Sequence, residues 1–265
     1  MKTGYLGPEG TNSEIAAKKL CPDGEYIPYP SFTALFTALE SGALPQIVIP
    51  IENTLNGAVV QNLDLLQEAE GVFAAATTAI KIDHRLLTLK GADVSKIKRV
   101  YSHSQALAQC EKYILRELPN ARLFSVASTV AGAEYIKSVE DAGIVGAGFI
   151  KEGFQLSGEN ISDSRDNYTY FFKVIKGAPE EDAAQRRVFF SVTCRHEAGS
   201  LLNLLTVLSD YDINMTEIES RPIKDRRGEF RFFIEVDGSL ADERIKRALE
   251  ELKKRASTLK LLGAY

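Results

Sequence analysis

The chain has 265 residues, of which 45% are hydrophobic and 26% charged, enough for one large globular domain or two of ordinary size. Its formal net charge is -4, from 36 acidic and 32 basic residues mixed along the sequence, and this lack of a basic stripe argues against nucleic-acid binding. No segment approaches ~18 consecutive apolar residues, and the N-terminus lacks the apolar core of a signal peptide. We therefore predict a soluble, cytoplasmic protein without membrane contact.

The cysteines and histidines indicate neither disulfides nor a metal site. An odd number of cysteines, far apart in sequence, favours reduced and mostly buried thiols. The histidines share no metal-ligand spacing with one another or with a cysteine. These residues are Cys21, Cys110, Cys194, His84, His103 and His196.

The N-terminal segment alternates strand and helix patterns. Residues 3–6 predict a short strand, and residues 7–10 form a turn by composition. Thr11, Asn12 or Ser13 can cap the helix that follows. Residues 26–30 then predict a strand and residues 32–39 a helix.

The stretch 46–68 is the one around which the rest is organised. Its apolar, β-branched run at 47–49 predicts a strand buried on both faces of a parallel sheet, and Pro50 ends that run. Polar residues crowd positions 52–57, and a helical apolar face follows from Val59. A polar loop that leads onto a helix N-terminus favours an anion. We interpret the loop as a binding loop for a small acid; the alternative is an ordinary capped turn.

Similar units recur in the middle of the chain. Strands are predicted at residues 71–82, 100–101 and 123–126. A helix capped by Ser102 or Ser104 follows the second of these strands, and another helix follows Ser128 and Thr129. Polar clusters thus stand at helix starts near Thr11, Asn53, Ser104 and Ser128. Together they predict two α/β lobes whose loops converge on one cleft.

Residues 144–153 resemble a dinucleotide-binding fingerprint only superficially. Their glycine spacing is G-x-G-x-x-x-x-G, and they lie too late in the chain, so we predict a strand-to-helix turn. The next strand ends at Val174. By strand alternation, Thr169 and Phe171 share one face, and Tyr168, Tyr170 and Phe172 share the other.

A different pattern begins after a polar segment that contains Gly and Pro. We predict a first domain at 1–176, a linker at 177–187 and a second domain at 188–265. The second domain has a β-α-β-β-α-β order within ~75 residues, which is the ferredoxin-like motif.

The motifs together resemble prephenate dehydratase along nearly the whole chain. The first-domain motifs are GPEGTNS (7–13), PIENTLNGAV (50–59), SHSQALAQC (102–110) and Ser128-Thr129. The segments AGSLLNLL (198–205) and INMTEIESRP (213–222) look like the ACT regulatory domain. The resemblance implies an α/β fold, with a two-lobed catalytic domain like type 2 periplasmic-binding proteins and a ferredoxin-like ACT domain.

The same resemblance implies a function. The family removes water and CO2 from prephenate to give phenylpyruvate, without cofactor or metal, and phenylalanine regulates it. Thr169 is the implied catalytic residue. The implied substrate-binding residues are Thr11, Ser13, Asn53, Thr54, Gln105, Ser128, Thr129 and Phe171. The implied effector-binding residues, between paired ACT domains of a homodimer or homotetramer, are Gly199, Ser200, Leu201, Glu219, Ser220, Arg221 and Pro222.

One departure from the family pattern concerns a cation. The family's Thr-Arg-Phe signature reads Thr169-Tyr170-Phe171 here, and Arg165 is a candidate source of the missing charge. We interpret His84 and His103 as structural, and Glu52 as an acid only if burial raises its pKa.

Other functions stay open at this stage. An arogenate dehydratase, a prephenate decarboxylase that does not aromatise the ring, and a non-enzymatic small-acid-binding protein are the alternatives.

Overall fold

Two β-sheets flanked by helices organise the chain. The structure is a computed structural model that describes residues 1–149, 151–194, 196–223, 226 and 228–265. Within these ranges the strands form a 10-stranded sheet and a 5-stranded sheet. No helix in the same ranges has the length and apolar character needed to cross a membrane.

Helices and strands alternate in parts of the chain and occur in runs elsewhere. The first part of the chain contains β1 (Lys2–Leu6), α1 (Asn12–Leu20), β2 (Glu25–Tyr29), α2 (Phe32–Glu40), β3 (Gln46–Asn53), β4 (Gly57–Ala58), α3 (Val60–Glu68) and β5 (Val72–Lys81). The middle part contains β6 (His84–Leu89), β7 (Arg99–Ser102), α4 (Ser104–Ala108), α5 (Glu111–Glu117), β8 (Arg122–Ser125), α6 (Thr129–Gly132), β9 (Asp141–Gly146), β10 (Phe154–Leu156) and β11 (Tyr168–Lys176). The last part contains β12 (Arg187–Thr193), α7 (Ser200–Asp210), β13 (Met215–Pro222), β14 (Phe230–Asp237), α8 (Glu243–Arg255) and β15 (Thr258–Ala264).

The first lobe is built on the strand order β5-β11-β3-β1-β2. β1 runs parallel to β2 and β3, whereas β11 is antiparallel to both β3 and β5. The prediction of a purely parallel environment for β3 is therefore wrong, because β11 enters this sheet from the opposite direction after the chain has built the second lobe.

Pro50 does not end its strand. β3 continues to Asn53, and the register with β11 shifts next to Pro50, where the ladder tolerates a residue that has no N–H to donate. The polar residues then lead into β4 before α3 begins at Val60. The prediction that the polar loop leads directly onto a helix N-terminus is therefore wrong.

The second lobe is the 5-stranded sheet, in the order β10-β6-β9-β7-β8. Its first helix is capped by His103, whose Nδ1 accepts from the N–H of Gln105 at 3.4 Å. The prediction of a Ser102 or Ser104 cap is therefore wrong. Ser102 is buried and donates instead to the carbonyl of Ile144 at 2.6 Å, and the single predicted helix is the pair α4 and α5.

The segment after β9 also differs from its prediction. The described residues between β9 and β10 form turns, so the predicted strand-to-helix turn at 144–153 is wrong. Ile150 lies outside the described residues. β9 and β10 pair with β6 on its two opposite sides.

The C-terminal part has the predicted β-α-β-β-α-β order, with strands arranged β13-β14-β12-β15. One face of this sheet packs on α7 and α8 through a core that includes Phe190, Leu204 and Leu252. Phe189 and Phe233, on the opposite face, pack with first-lobe residues such as Leu66. The two parts share one continuous sheet, because Gly263 of β15 pairs with Ala74 of β5.

Polar contacts fix α3 of the first lobe to the C-terminal sheet. The Nζ of Lys260 donates to the carbonyls of Leu66, Gln67 and Ala69 at 3.2, 2.6 and 2.7 Å, which satisfies the C-terminal end of the helix. Arg221 of β13 forms an ion pair with Asp64 of α3 at 3.1 Å. The helix that follows the polar loop is thus held by the C-terminal domain.

Carboxylates meet at the same interface. Burial, together with the nearby charges of Glu52, Glu235 and Glu219, raises the pKa of Glu217 to about 7. Burial and Glu235 also raise the pKa of Glu52. Arg187 forms an ion pair with Glu235 at 3.2 Å, so part of this negative charge is balanced.

Glu217 should make the stability of the protein depend on pH. Its folded-state pKa lies above the ordinary value of 4.5, so folding takes up a proton between these values. The contribution of this group is complete below about pH 4.5 and is lost as the pH rises through about 7. Glu217→Gln should therefore raise the free energy of unfolding at about pH 8 by on the order of 1 kcal/mol and change it little at about pH 5.

Urea unfolding at a series of pH values measures this difference. Glu219→Gln is the comparison variant, since it removes the same charge two residues along the same face of β13 but relieves only a small part of the effect on Glu217, so its gain at about pH 8 should be smaller. Equal effects of the two substitutions at every pH would contradict the assignment to Glu217.

Candidate functional site

A cavity of about 220 Å³ lies between the two lobes. The first lobe contributes Asn12, Asn53 and Thr169 to its wall, and the second contributes Gln105 and Ser128, with Thr129 next to it. Each of the polar clusters predicted near Thr11, Asn53, Ser104 and Ser128 therefore places at least one neighbouring residue at this cavity.

Asn53 is the most heavily bonded side chain of the cavity wall. Its Oδ1 accepts from the backbone N–H groups of Leu55 and Asn56 at 3.1 and 3.2 Å. Its Nδ2 donates to Asn167 Oδ1 at 2.8 Å and to Thr169 Oγ1 at 3.0 Å. The β3–β11 register sets this contact, because it pairs Asn53 directly with Thr169.

The part of the cavity wall formed by the second lobe carries hydroxyl and amide groups at the starts of α4 and α6. Ser128 Oγ caps α6 by accepting from the N–H of Ala131 at 3.0 Å, and Thr129 is the first residue of that helix. Gln105 lies in the first turn of α4. Neutral donors of this kind suit the carboxylates of a small acid.

Other residues predicted from the motifs hold the framework in the described structure and do not line this cavity. Thr11 caps α1, and Ser13 is buried within that helix. Thr54 Oγ1 accepts from the N–H of Tyr168 at 3.0 Å and donates to the carbonyl of Asp166 at 3.1 Å, so it ties two segments together. Phe171 is buried in a core with Tyr5, Val48 and Ile80.

The cavity also contains residues that the motifs did not single out for binding. Asn12 and Gln109 line it, together with His84 and His103. Burial lowers the pKa of His84, although its hydrogen bond to Gln109 and the charge of Asp83 act in the opposite direction. His84 is therefore neutral near pH 7. Asn12 lies in the first family motif and His103 and Gln109 lie in the third, SHSQALAQC, whereas His84 lies in none of them.

Tyr170 lies away from the cavity, as strand alternation predicted. Phe171 packs in the core beside α1, whereas Phe172 packs against Phe189 and Tyr265 on the other face. Tyr170 shares the face of Phe172 and pairs across the ladder with Glu52. Glu52, whose pKa is raised, therefore lies at the domain interface and not in the cavity wall. Arg165 is exposed and is absent from the described cavity wall.

A second cavity of about 220 Å³ lies in the C-terminal domain. Gly199, Ser200 and Leu201 line it together with Phe230 and Phe232. Gly199 has a φ of 80°, a left-handed conformation that suits a glycine just before α7.

The other predicted effector residues lie on β13, the neighbour of β14. Ser220 and Pro222 pair with Phe232 and Phe230, on the face of the sheet that carries this second cavity. Glu219 and Arg221 lie on the opposite face, and Arg221 contacts Asp64 of the first lobe.

Comparisons with known families agree with the motifs. The prephenate dehydratase family model matches residues 3–178. The ACT domain model matches residues 188–254. These matches confirm the resemblance drawn from the motifs, and the fold predicted from it is the one the structure has.

Individual relatives show similarity over the full chain. The chain is 33% identical over 269 residues to the bifunctional chorismate mutase/prephenate dehydratase of Aquifex aeolicus, with coverage of 100% of this chain and 73% of the relative. It is 32% identical over 284 residues to arogenate dehydratase 1 of Petunia hybrida, with coverage of 100% and 66%. The crystal structure of prephenate dehydratase from Arthrobacter aurescens in complex with L-Phe matches with a TM-score of 0.91 at 27% identity, covering 100% of this chain and 90% of that one.

Proposed function

We propose that this chain, which belongs to the prephenate dehydratase family, converts prephenate into phenylpyruvate, CO2 and water in phenylalanine biosynthesis. Members of this family are hydro-lyases, and the ACT domain at the C-terminus gives the enzyme a regulatory module. The observation that carries the proposal is the position of Thr169, whose Oγ1 stands at the cavity wall and accepts a hydrogen bond from Asn53.

The reaction needs little acid–base chemistry from the protein. The bond between the ring and its carboxylate breaks, and its electron pair moves into the ring as CO2 departs. The bond to the ring hydroxyl breaks at the other end of the ring, and the hydroxyl takes one proton to leave as water. The ring becomes aromatic, so the substrate itself supplies the electron sink.

Thr169 acts at the leaving hydroxyl. An alcohol is too weak an acid to transfer its proton fully, so its hydrogen bond polarises and positions the leaving oxygen, and the net proton comes from water. Interactions that strengthen only as the hydroxyl departs accelerate the reaction.

Neutral donors on the cavity wall can hold the carboxylates of prephenate. Ser128, Thr129 and Gln105 supply hydroxyl, amide and backbone N–H groups on the second-lobe wall, and Asn12 faces them from the first lobe. Donors on both lobes would hold the substrate across the cleft.

The alternatives predict different reactions in the same cleft. Arogenate differs from prephenate only at the side-chain carbonyl. The similarity to an arogenate dehydratase makes arogenate the second candidate substrate. A decarboxylase that does not aromatise the ring would leave the ring oxygen in the product. A binding protein would return the acid unchanged.

Product identification tests the proposal. Purified protein incubated with prephenate, without added metal or cofactor, should yield phenylpyruvate, and arogenate is assayed in parallel. Thr169→Val should lower kcat by about 10²- to 10³-fold with little change in KM, because the transition state loses a positioned donor. Thr169→Ser, which keeps the hydroxyl, is the matched control and should retain most of the rate.

Three results would count against parts of this proposal. Near-normal kcat in Thr169→Val would remove the assigned role of Thr169. A non-aromatic hydroxyacid would indicate the decarboxylase. Turnover of arogenate alone would keep the chemistry and change the substrate.

The regulatory proposal places phenylalanine between paired ACT domains of a homodimer or homotetramer in the cytoplasm, with the chain divided as 1–176, 177–187 and 188–265. Gly199, Ser200 and Leu201 of one chain would face Glu219, Ser220, Arg221 and Pro222 of its partner. An effector acts only through a difference in affinity between two states. We propose that the Arg221–Asp64 ion pair differs between these two states, because it links this motif to α3.

Equilibrium dialysis with phenylalanine separates the residues on the two faces of β13. Ser220→Ala should weaken phenylalanine binding by about tenfold, the loss expected for about 1.4 kcal/mol. Asp64→Asn leaves the motif intact and should preserve binding while it reduces the effect of phenylalanine on activity. If Ser220→Ala binds as the wild type does, the effector site lies elsewhere. If Asp64→Asn leaves the effect of phenylalanine on activity unchanged, this ion pair does not transmit the signal.

A further inference from the structure

A hydrogen-bonded chain of side chains links the two lobes and ends at Thr169. His84 Nε2 lies 2.9 Å from Gln109 Oε1, and Asn167 Nδ2 donates to the same oxygen at 3.0 Å. Asn53 Nδ2 donates to Asn167 Oδ1 at 2.8 Å and to Thr169 Oγ1 at 3.0 Å. Three of these residues are almost completely buried, with exposures of 1% for Asn167, 5% for His84 and 7% for Asn53.

Backbone groups fix the direction of this chain at one end. The N–H groups of Leu55 and Asn56 can only donate, and both point at Asn53 Oδ1. The amide oxygen of Asn53 must therefore face them, and its nitrogen must face Asn167 and Thr169. This orientation needs no assumption about side-chain protons.

The orientation of Asn53 then fixes which atom of each following side chain donates and which accepts. Because Asn53 donates, Asn167 presents its oxygen to Asn53 and its nitrogen to Gln109. Gln109 Oε1 accepts from Asn167, so the same oxygen accepts from His84, whose Nε2 must carry the ring proton. His84 is neutral because burial lowers its pKa, and its Nδ1 has no hydrogen-bond partner among the described residues.

At its other end, the hydrogen-bonded chain of side chains sets the role of the Thr169 hydroxyl. Since Thr169 Oγ1 accepts from Asn53, its own proton is free to point to another acceptor, and Thr169 lines the cavity. A threonine turned the other way would donate to the protein and offer the leaving hydroxyl only lone pairs. The acceptor role of Oγ1 is thus what makes this residue a donor to the substrate.

We infer that Asn167 is a positioning residue, which holds the amide of Asn53 in the orientation that directs the hydroxyl proton of Thr169 into the cleft. Asn167 lies behind the wall and is absent from the described cavity lining, so it acts through Asn53. The inference rests on the proposed function in one respect, that Thr169 serves the departure of the ring hydroxyl.

The amide of Asn53 has competing acceptors, which explains why it needs a second anchor. Its two Nδ2 hydrogens face the carbonyl of Tyr168 at 3.0 Å as well as Asn167 and Thr169. Asn167 Oδ1 holds one hydrogen and so fixes the amide plane on the side away from Leu55 and Asn56. Without that oxygen the amide can turn toward the Tyr168 carbonyl, and its contact with Thr169 weakens.

Kinetics in two backgrounds test the role of Asn167. Asn167→Leu should lower kcat for prephenate about tenfold or more and change KM less than about threefold, with folding checked by thermal unfolding. In the Thr169→Val background the same change should lower kcat no further, because the hydroxyl that it positions is gone.

The protonation state of the His84 ring tests the donor–acceptor order of the hydrogen-bonded side chains without any substrate. Ring nitrogen NMR shifts, assigned by difference with His84→Phe, should show a neutral ring protonated at Nε2 at about pH 7. If Asn167→Leu fails to fold, Gln109→Met removes the acceptor of Asn167 at a partly exposed site and should give the same split between kcat and KM.

Several outcomes would overturn the inference. They are a normal kcat in Asn167→Leu, an equal loss in the Thr169→Val background, or a His84 ring protonated at Nδ1. If the wild-type protein does not convert prephenate, the proposed function fails together with the catalytic role of Asn167. The NMR measurement would then still decide the direction of the hydrogen-bonded chain.

Discussion

The antiparallel pairing of β3 with β11 is the contact on which the rest of the site depends. It places Asn53 directly opposite Thr169, although they lie 116 residues apart in the sequence. β11 reaches this position only after the chain has built the whole second lobe. The central pair of the candidate site is therefore a long-range contact within the first-lobe sheet, made by segments that precede and follow the second lobe in the sequence.

The same strand pair connects the cleft to the C-terminal domain. Asn53 faces the cavity, whereas its neighbour Glu52 belongs to the carboxylates at the domain interface. Further along the chain, α3 is anchored by Lys260 at its end and by Arg221 along its side. A change in the C-terminal sheet thus has a short physical path to the loop that carries Asn53, through a helix held by charged contacts at part-buried positions.

Much of this organisation could be predicted from sequence because it is local. Strand, polar turn and helix recur with recognisable periods, and those patterns correctly predicted that loops near Thr11, Asn53 and Ser128 converge on one cleft. Pairing between distant strands is not encoded in such periods, so the antiparallel entry of β11 was missed. A motif also gives residue types without their direction, which is why Thr54 was grouped with Asn53 although it bonds to the backbone of the neighbouring segment. The contacts that join His84, Gln109 and Asn167 could not be predicted for a related reason, since their partners lie 25 to 114 residues away.

The most direct test of the central claim follows the oxygen of the ring hydroxyl. Prephenate labelled with ¹⁸O at that position, given to the wild-type protein in a single turnover, should release the label as water as phenylpyruvate and CO2 form in equal amounts. Reactions without protein and with Thr169→Val correct for spontaneous acid-catalysed loss. Retention of the label in an organic product after CO2 has left would contradict the account, because the cleft would then decarboxylate prephenate without expelling its hydroxyl.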